Sequence, residues 1–290
     1  MPSFASYEKY VYATHIEQKI NEAMINIEKA CVFGPDSVDL AGQARLNLGK
    51  DYIFVPQKEA AAYMQAVGNT ISPNLIGLIF DKTGDMSWII SIEYKPEGYI
   101  REDDAKNWNT DELLKSLIDG TEAANKDRKA SGYEPLRVVG WIEKPSYDAV
   151  QHKLIWSIEG KIDDAPPSSD PNNGSLINYH TYALGRYGYL ELTLITHKSS
   201  LGFLKKVHAS NILQSITFNN GNRYEDFVEG KDNVAKYGLT ALILGVAAKK
   251  MGFIAMAGVF LAKMWKLVAV VFVLLTGFIA RLFAGRNNKK

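Results

Sequence analysis

The sequence predicts an α+β domain, a mainly antiparallel sheet packed with helices, followed by a C-terminal apolar helical membrane segment. Short apolar runs of period two joined by hairpin-length links predict the sheet, and amphipathic stretches at helical spacing predict the helices. The third observation is an uncharged run of 14 residues, Leu267 to Ala280. A chain of 290 residues holds one or two domains with ample core.

The first 30 residues are charged every few positions, with Ile16, Ile20, Met24 and Ile27 at helical spacing, and predict an amphipathic lead helix over 1–31 rather than a signal peptide. The domain proper is expected over 32–230. Past Gly34-Pro35 the runs VDL, ARLNL and YIFV predict strands, Lys58 to Ala66 a short helix, and LIGLIF and WIISIEY two further strands. The clearest helix spans Thr110 to Ala130. Asn109 or Thr110 can cap it, Asp111 and Glu112 favour the positive end of its dipole, and Leu113, Leu114, Leu117, Ile118 and Ala124 form its apolar stripe. RVVGWIE and KLIWSIEG are expected to pair through Pro145-Ser146, and SLINYHTYAL and YLELTLIT to flank a turn at Gly185 to Gly188. Asp163 to Gly174 predicts a solvent loop, Leu201 to Ser215 a helix, and ITF a last strand.

Charge divides the chain. From Tyr237 to the end there are eight basic residues and no acid, leaving 25 basic and 32 acidic residues before it. An acidic body without an Arg-rich face excludes nucleic-acid binding. The single cysteine, Cys31, excludes an intramolecular disulfide framework and a Cys-based zinc site.

Residues 231–266 are expected to form a small-residue-rich amphipathic or interfacial helix, 267–284 a transmembrane helix and 285–290 a basic tail. With Arg281 snorkelling, the 18 residues Leu267 to Ala284 reach about 27 Å, just enough for a bilayer core of about 30 Å. A buried core helix is the alternative, and the flanking cations favour lipid headgroups. Lys249 and Lys250 argue against a second span. Gly238, Ala241, Gly245, Ala248, Gly252 and Ala255 follow at steps of three and four, a seam on which another helix, a second copy's or a partner's, can pack closely. The strand and helix patterns all precede Tyr237, so residues 1–236 are expected to fold without the tail.

Several stretches, GPDSVDLAGQARLNLGKDYIFVP, GYIREDDAKNWNTDELLKSLIDGTEAANKDR, VVGWIEKPSYD, HKLIWSIEG, LGRYGYLELTL and YGLTALILGVAAKKMG among them, resemble the DUF2167 family of bacterial membrane-anchored proteins. They cover most of Gly34 to Gly252 in order. The resemblance implies a bacterial envelope location and a soluble domain similar to the PsbP or Mog1 sandwich. Four cations precede the apolar run and four follow it, so the positive-inside count is tied. The lack of a signal points to the cytoplasm; the resemblance tips the expectation to the periplasmic side of the inner membrane.

No phosphate loop, nucleophile elbow or H-E-x-x-H pair occurs, the five histidines are scattered, and no cofactor is implied. Glu97, Glu102, Asp103, Asp104 and Asp111, with Tyr99 and Arg101 among them, can hold a hard cation or act as an acid–base pair; the same acids can simply be helix-dipole partners on a solvated face. Trp141, Trp156, Tyr147, Tyr179, Tyr182, Tyr187 and Tyr189 can wall a cleft or pack across strands. Asn125, Arg128 and Arg186 match positions in the family-like stretches, and helix-surface or turn roles explain them equally. Cys31 has no activating neighbour in sequence. The expected function is a membrane-anchored binding or assembly module without assigned catalytic residues. The alternatives are a hydrolase-like enzyme using Glu102, Asp103 and Asp104, and a structural envelope-stress protein.

Overall fold

The computed structural model describes residues 18–67, 71–83, 88–130, 135–162, 175–200 and 214–245, with Gly202 and Ile212 besides. Helix α1 (18–30) leads into β1 (Val32–Phe33), β2 (Asp36–Leu40), β3 (Ala44–Leu48) and β4 (Tyr52–Pro56). Next come α2 (Gln57–Ala66), β5 (Leu75–Asp81), β6 (Trp88–Lys95), a 3-10 turn (Asp103–Asn107) and α3 (Thr110–Ala130). Four long strands follow, β7 (Leu136–Asp148), β8 (Lys153–Ile162), β9 (Ser175–Leu184) and β10 (Tyr189–His197), then β11 (Ile216–Phe218) and α4 (Leu239–Leu244).

Eight strands form one antiparallel sheet in the order β1-β4-β5-β6-β10-β9-β8-β7, and β11-β3-β2 form a second, smaller one. This is the expected mainly antiparallel α+β architecture. The large sheet has a separate core on each face. One face packs on the helices through Ile20, Met24, Tyr63, Leu117, Leu239 and Ile243; the other packs on the small sheet through Val38, Leu40, Leu46, Ile90 and Leu192. Strand β9 lies between the two cores, and all ten of its residues are buried.

Helix α3 starts as expected: the Asn109 carboxamide oxygen accepts the amides of Asp111 and Glu112 at 3.1 and 3.3 Å. Three expectations change. Pro145 and Ser146 do not link two strands; they lie inside β7, which continues to Asp148 before turning into β8. An edge strand tolerates proline because it needs no ladder donor on its outer side, and β7 shifts register twice before Pro145 and once across it. Residues 231–238 are not helical; Val234 bridges to Tyr99, and among the described residues of this stretch the helix runs over Leu239–Leu244. The body also does not end at 236. Leu239, Leu242, Ile243 and Leu244 are buried in the helix-side core, so the root of the tail belongs to the domain.

Among the described residues no helix is long and apolar enough to cross a membrane. The run 267–284, the basic tail 285–290, residues 246–266 of the helix expected over 231–266 and the loop 163–174 lie outside the described residues, as does most of the helix expected over 201–215.

Candidate functional site

The acidic segment before α3 sends its three carboxylates to three places. The 3-10 turn at 103–107 places successive side chains in divergent directions. Glu102 accepts a hydrogen bond from the Tyr147 hydroxyl and lies 3.5 Å from His152 Nδ1. Asp103 is exposed on the rim of an open groove of about 300 Å³ whose walls include Trp108, Pro145 and Tyr147. Asp104 turns the other way, and its two oxygens accept the amides of Leu239 at 3.0 Å and Thr240 at 2.9 Å.

Asp104 therefore caps α4, a helix far along the chain. Gly238 permits the approach, since a Cβ there would stand 2.7 Å from the Asp104 carboxylate. Beside it Trp108 Nε1 donates to Thr240 Oγ1 at 2.9 Å, and the Tyr182 hydroxyl lies 3.1 Å from the Leu242 carbonyl. Helix α4 stops at Gly245, whose φ of 79° favours glycine.

Glu102 and Tyr147 line the groove, and His152 lies close to both. The tight β7–β8 turn holds His152 at φ 52°, where its carbonyl accepts the Leu184 amide at 3.0 Å. Its Nδ1 is 3.4 Å from the Tyr147 hydroxyl, and its ring lies on Tyr224 with centroids 4.1 Å apart. Tyr224 donates to the Ile100 carbonyl at 2.7 Å and stacks on Tyr99. Burial, reinforced by the Glu102 carboxylate, pushes the Tyr147 phenol far above its ordinary pKa, and burial does the same to Tyr224. Both stay protonated donors. Sequence reasoning missed His152 and Tyr224, because neither falls in a motif and only the fold brings them to Glu102.

The other candidates have structural partners. Asn125 Nδ2 donates to the Leu136 carbonyl at 2.8 Å, and its Oδ1 accepts the Leu136 amide at 2.9 Å, so it pins the start of β7. Arg186 forks onto Asp232 at 2.7 and 3.0 Å, donates to the Gly221 carbonyl at 3.2 Å and covers the Tyr187 ring. Arg128 lies on α3, and its side chain is outside the described ones. Asp111 and Glu97 are exposed. Trp141 donates to the Thr110 carbonyl, while Trp156, Tyr179, Tyr182 and Tyr189 pack inside. Of the small-residue seam, Gly238 is the N-cap of α4, Ala241 is buried against the body and Gly245 ends the helix, so these three face the domain. Ala248, Gly252 and Ala255 lie outside the described residues. Among the described residues no three His, Cys, Asp or Glu side chains are grouped to hold a metal ion.

The family described as "Protein of unknown function (DUF2167)" matches residues 32–274. The chain belongs to the DUF2167 family. The DUF2167 match includes α4 and continues into the apolar run, so the docked root and the following segment are covered together. Among solved structures, the chain is similar to the solution structure of cyanobacterial PsbP (CyanoP) from Synechocystis sp. PCC 6803. The two share 10% identity with a TM-score of 0.37, over 65% of this chain and 91% of that one. No curated protein matches the chain.

Proposed function

We propose that this DUF2167 chain is a membrane-anchored binding or assembly module, tethered to the bacterial inner membrane by residues 267–284, with the domain on the periplasmic side. The keying of α4 into the body carries the reading. The acids that would have to meet around a cation are divided, and Asp104 instead holds the root of the apolar segment. A tether leaving a docked root gives the domain a set orientation at the bilayer. The tail's partner, a second copy or another membrane helix, meets Ala248, Gly252 and Ala255.

Alkaline carbonate extraction of full-length protein tests the anchor. The chain stays in the membrane pellet; release into the supernatant contradicts the tether. Replacing Gly252 with leucine reduces crosslinking to the partner while leaving the chain in the pellet. Gly252 is the appropriate position because Gly245 closes α4, and a side chain there would disturb the body.

One observation favours a second reading, a membrane-tethered acid–base enzyme: Glu102, Tyr147 and His152 meet beside an open groove. A panel of chromogenic esters, phosphoesters and glycosides separates the two. Turnover that vanishes in both Glu102→Gln and His152→Gln supports the enzyme; its absence from the parent supports the module.

A further inference from the structure

Lys249 and Lys250 interrupt the apolar stretch that follows α4, and neither a bilayer core nor the small-residue seam accounts for two adjacent cations there. They call for an acidic partner within short reach of Gly245, the last described residue before them. An open groove of about 380 Å³ between α3 and α4 supplies one. It is lined by Trp108, by Glu112, Leu113 and Ser116 of α3, and by Thr240 and Leu244 of α4. Leu113 and Leu244 are buried apolar side chains, and Glu112 and Ser116 are exposed.

The lining includes two carboxylates, Asp104 and Glu112, and no lysine, arginine or histidine. Asp104 is committed to the amides of α4. The Glu112 Oε1 accepts the Asn109 carboxamide at 2.9 Å, and an ionised carboxylate has about four lone-pair sites, so Glu112 can take an ammonium as well. The wider balance has the same sense, with 32 acids against 25 bases before Tyr237 and eight bases with no acid from there on.

We propose that residues 246–250 of this chain strap onto the α3–α4 groove, with Lys249 or Lys250 paired to Glu112 and the apolar Val246 and Ala247 against Leu113 and Leu244. Leu244 is itself part of the groove wall, so the segment begins at its edge. Five residues beyond Gly245 reach about 8 Å as a helix and about 17 Å when extended. A short tether also holds the segment at an effective concentration in the millimolar range, which a second copy or a separate protein must overcome. On a helix, Lys249 and Lys250 lie about 100° and 200° round from Ala248, whereas Gly252 and Ala255 stay within about 40° of it. Lysines held on the body therefore turn Ala248, Gly252 and Ala255 outward, toward the partner of the module. The strap rests on the module reading for what that outward face meets, but its test reads the contact on the body alone.

Full-length chain in detergent micelles is treated with a zero-length carbodiimide, which joins an amine to a carboxylate only when the two touch, and the linked peptides are identified by mass spectrometry. Glu112 couples to Lys249 or Lys250. In a mixture of isotope-labelled and unlabelled chains, the linked peptides carry one label, as a contact within one chain requires. Glu112→Gln keeps the acceptor for Asn109 and removes the charge, and the acylation rate of the paired lysine then rises about two- to fivefold, the scale of an exposed ion pair. Glu112→Lys combined with Lys249→Glu and Lys250→Glu restores coupling in the reversed sense. Failure of Glu112 to couple to either lysine, mixed-label pairs that point to a second copy, or unchanged lysine reactivity in Glu112→Gln overturns the strap. Carbonate extraction of the same variants reports on the anchor separately.

Discussion

The Asp104 carboxylate closes the first turn of a helix 135 residues away, accepting the Leu239 amide at 3.0 Å. Sequence proximity had placed this acid with the dipole of α3. Instead, Asn109 caps α3 and Asp104 is free to fix the start of α4 on the domain.

Replacing Asp104 with alanine removes both acceptors from the start of α4. The expected cost is about 1 to 2 kcal/mol, measured by denaturant unfolding. Asp104→Asn keeps an acceptor oxygen and costs less.

Gly238→Ala tests the same contact from the other side. Its Cβ meets the Asp104 carboxylate, so the change destabilises the parent. In an Asp104→Ala background the obstacle is gone and the cost falls. A double-mutant cycle in which the two costs simply add contradicts the contact.

Much of the framework was legible because it follows period. The alternation in ARLNL matches the alternating burial of β3, and the Leu113 and Leu117 stripe faces the core. The site was less legible. In SLINYHTYAL, alternation alone would send Asn178 and His180 to solvent, but both faces of β9 are covered and both residues are fully buried. Gly238, Ala241 and Gly245 have membrane-seam spacing, yet the first three seam positions are fixed by packing on the body. Spacing along a chain cannot show which surface a small residue meets. Glu102 meets His152 only because the β7–β8 turn returns to the segment before α3.

Arg186 and Asp232 predict a pH dependence. The Arg186 hydrogen bonds, more than offsetting the raising effect of desolvation, hold the Asp232 pKa below its ordinary value. A depressed folded-state pKa contributes stability that is complete above the unfolded value of about 3.9 and is lost as pH falls through the folded value. The stability gap between parent and Arg186→Gln therefore narrows below about pH 4. A gap constant from neutral to acid pH excludes the linkage.

Asn125 acts as a stand-in for a missing strand partner at Leu136. Asn125→Ala leaves a buried amide and carbonyl unpaired and costs about 2 kcal/mol. Asn125→Asp does not rescue it, since it keeps the acceptor and loses the donor. Full stability in the aspartate variant would show that the Leu136 carbonyl is served otherwise.

Two truncations test most directly whether the tail's root is part of the domain. A chain ending at Gly245 keeps α4, with Leu239, Leu242, Ile243 and Leu244 in the core; a chain ending at Lys236 lacks it. Burying those four side chains contributes, before entropy, about 6 to 12 kcal/mol. The account predicts a cooperative thermal transition for residues 1–245 and a much lower or uncooperative one for residues 1–236. Equal transition temperatures for the two chains would contradict it.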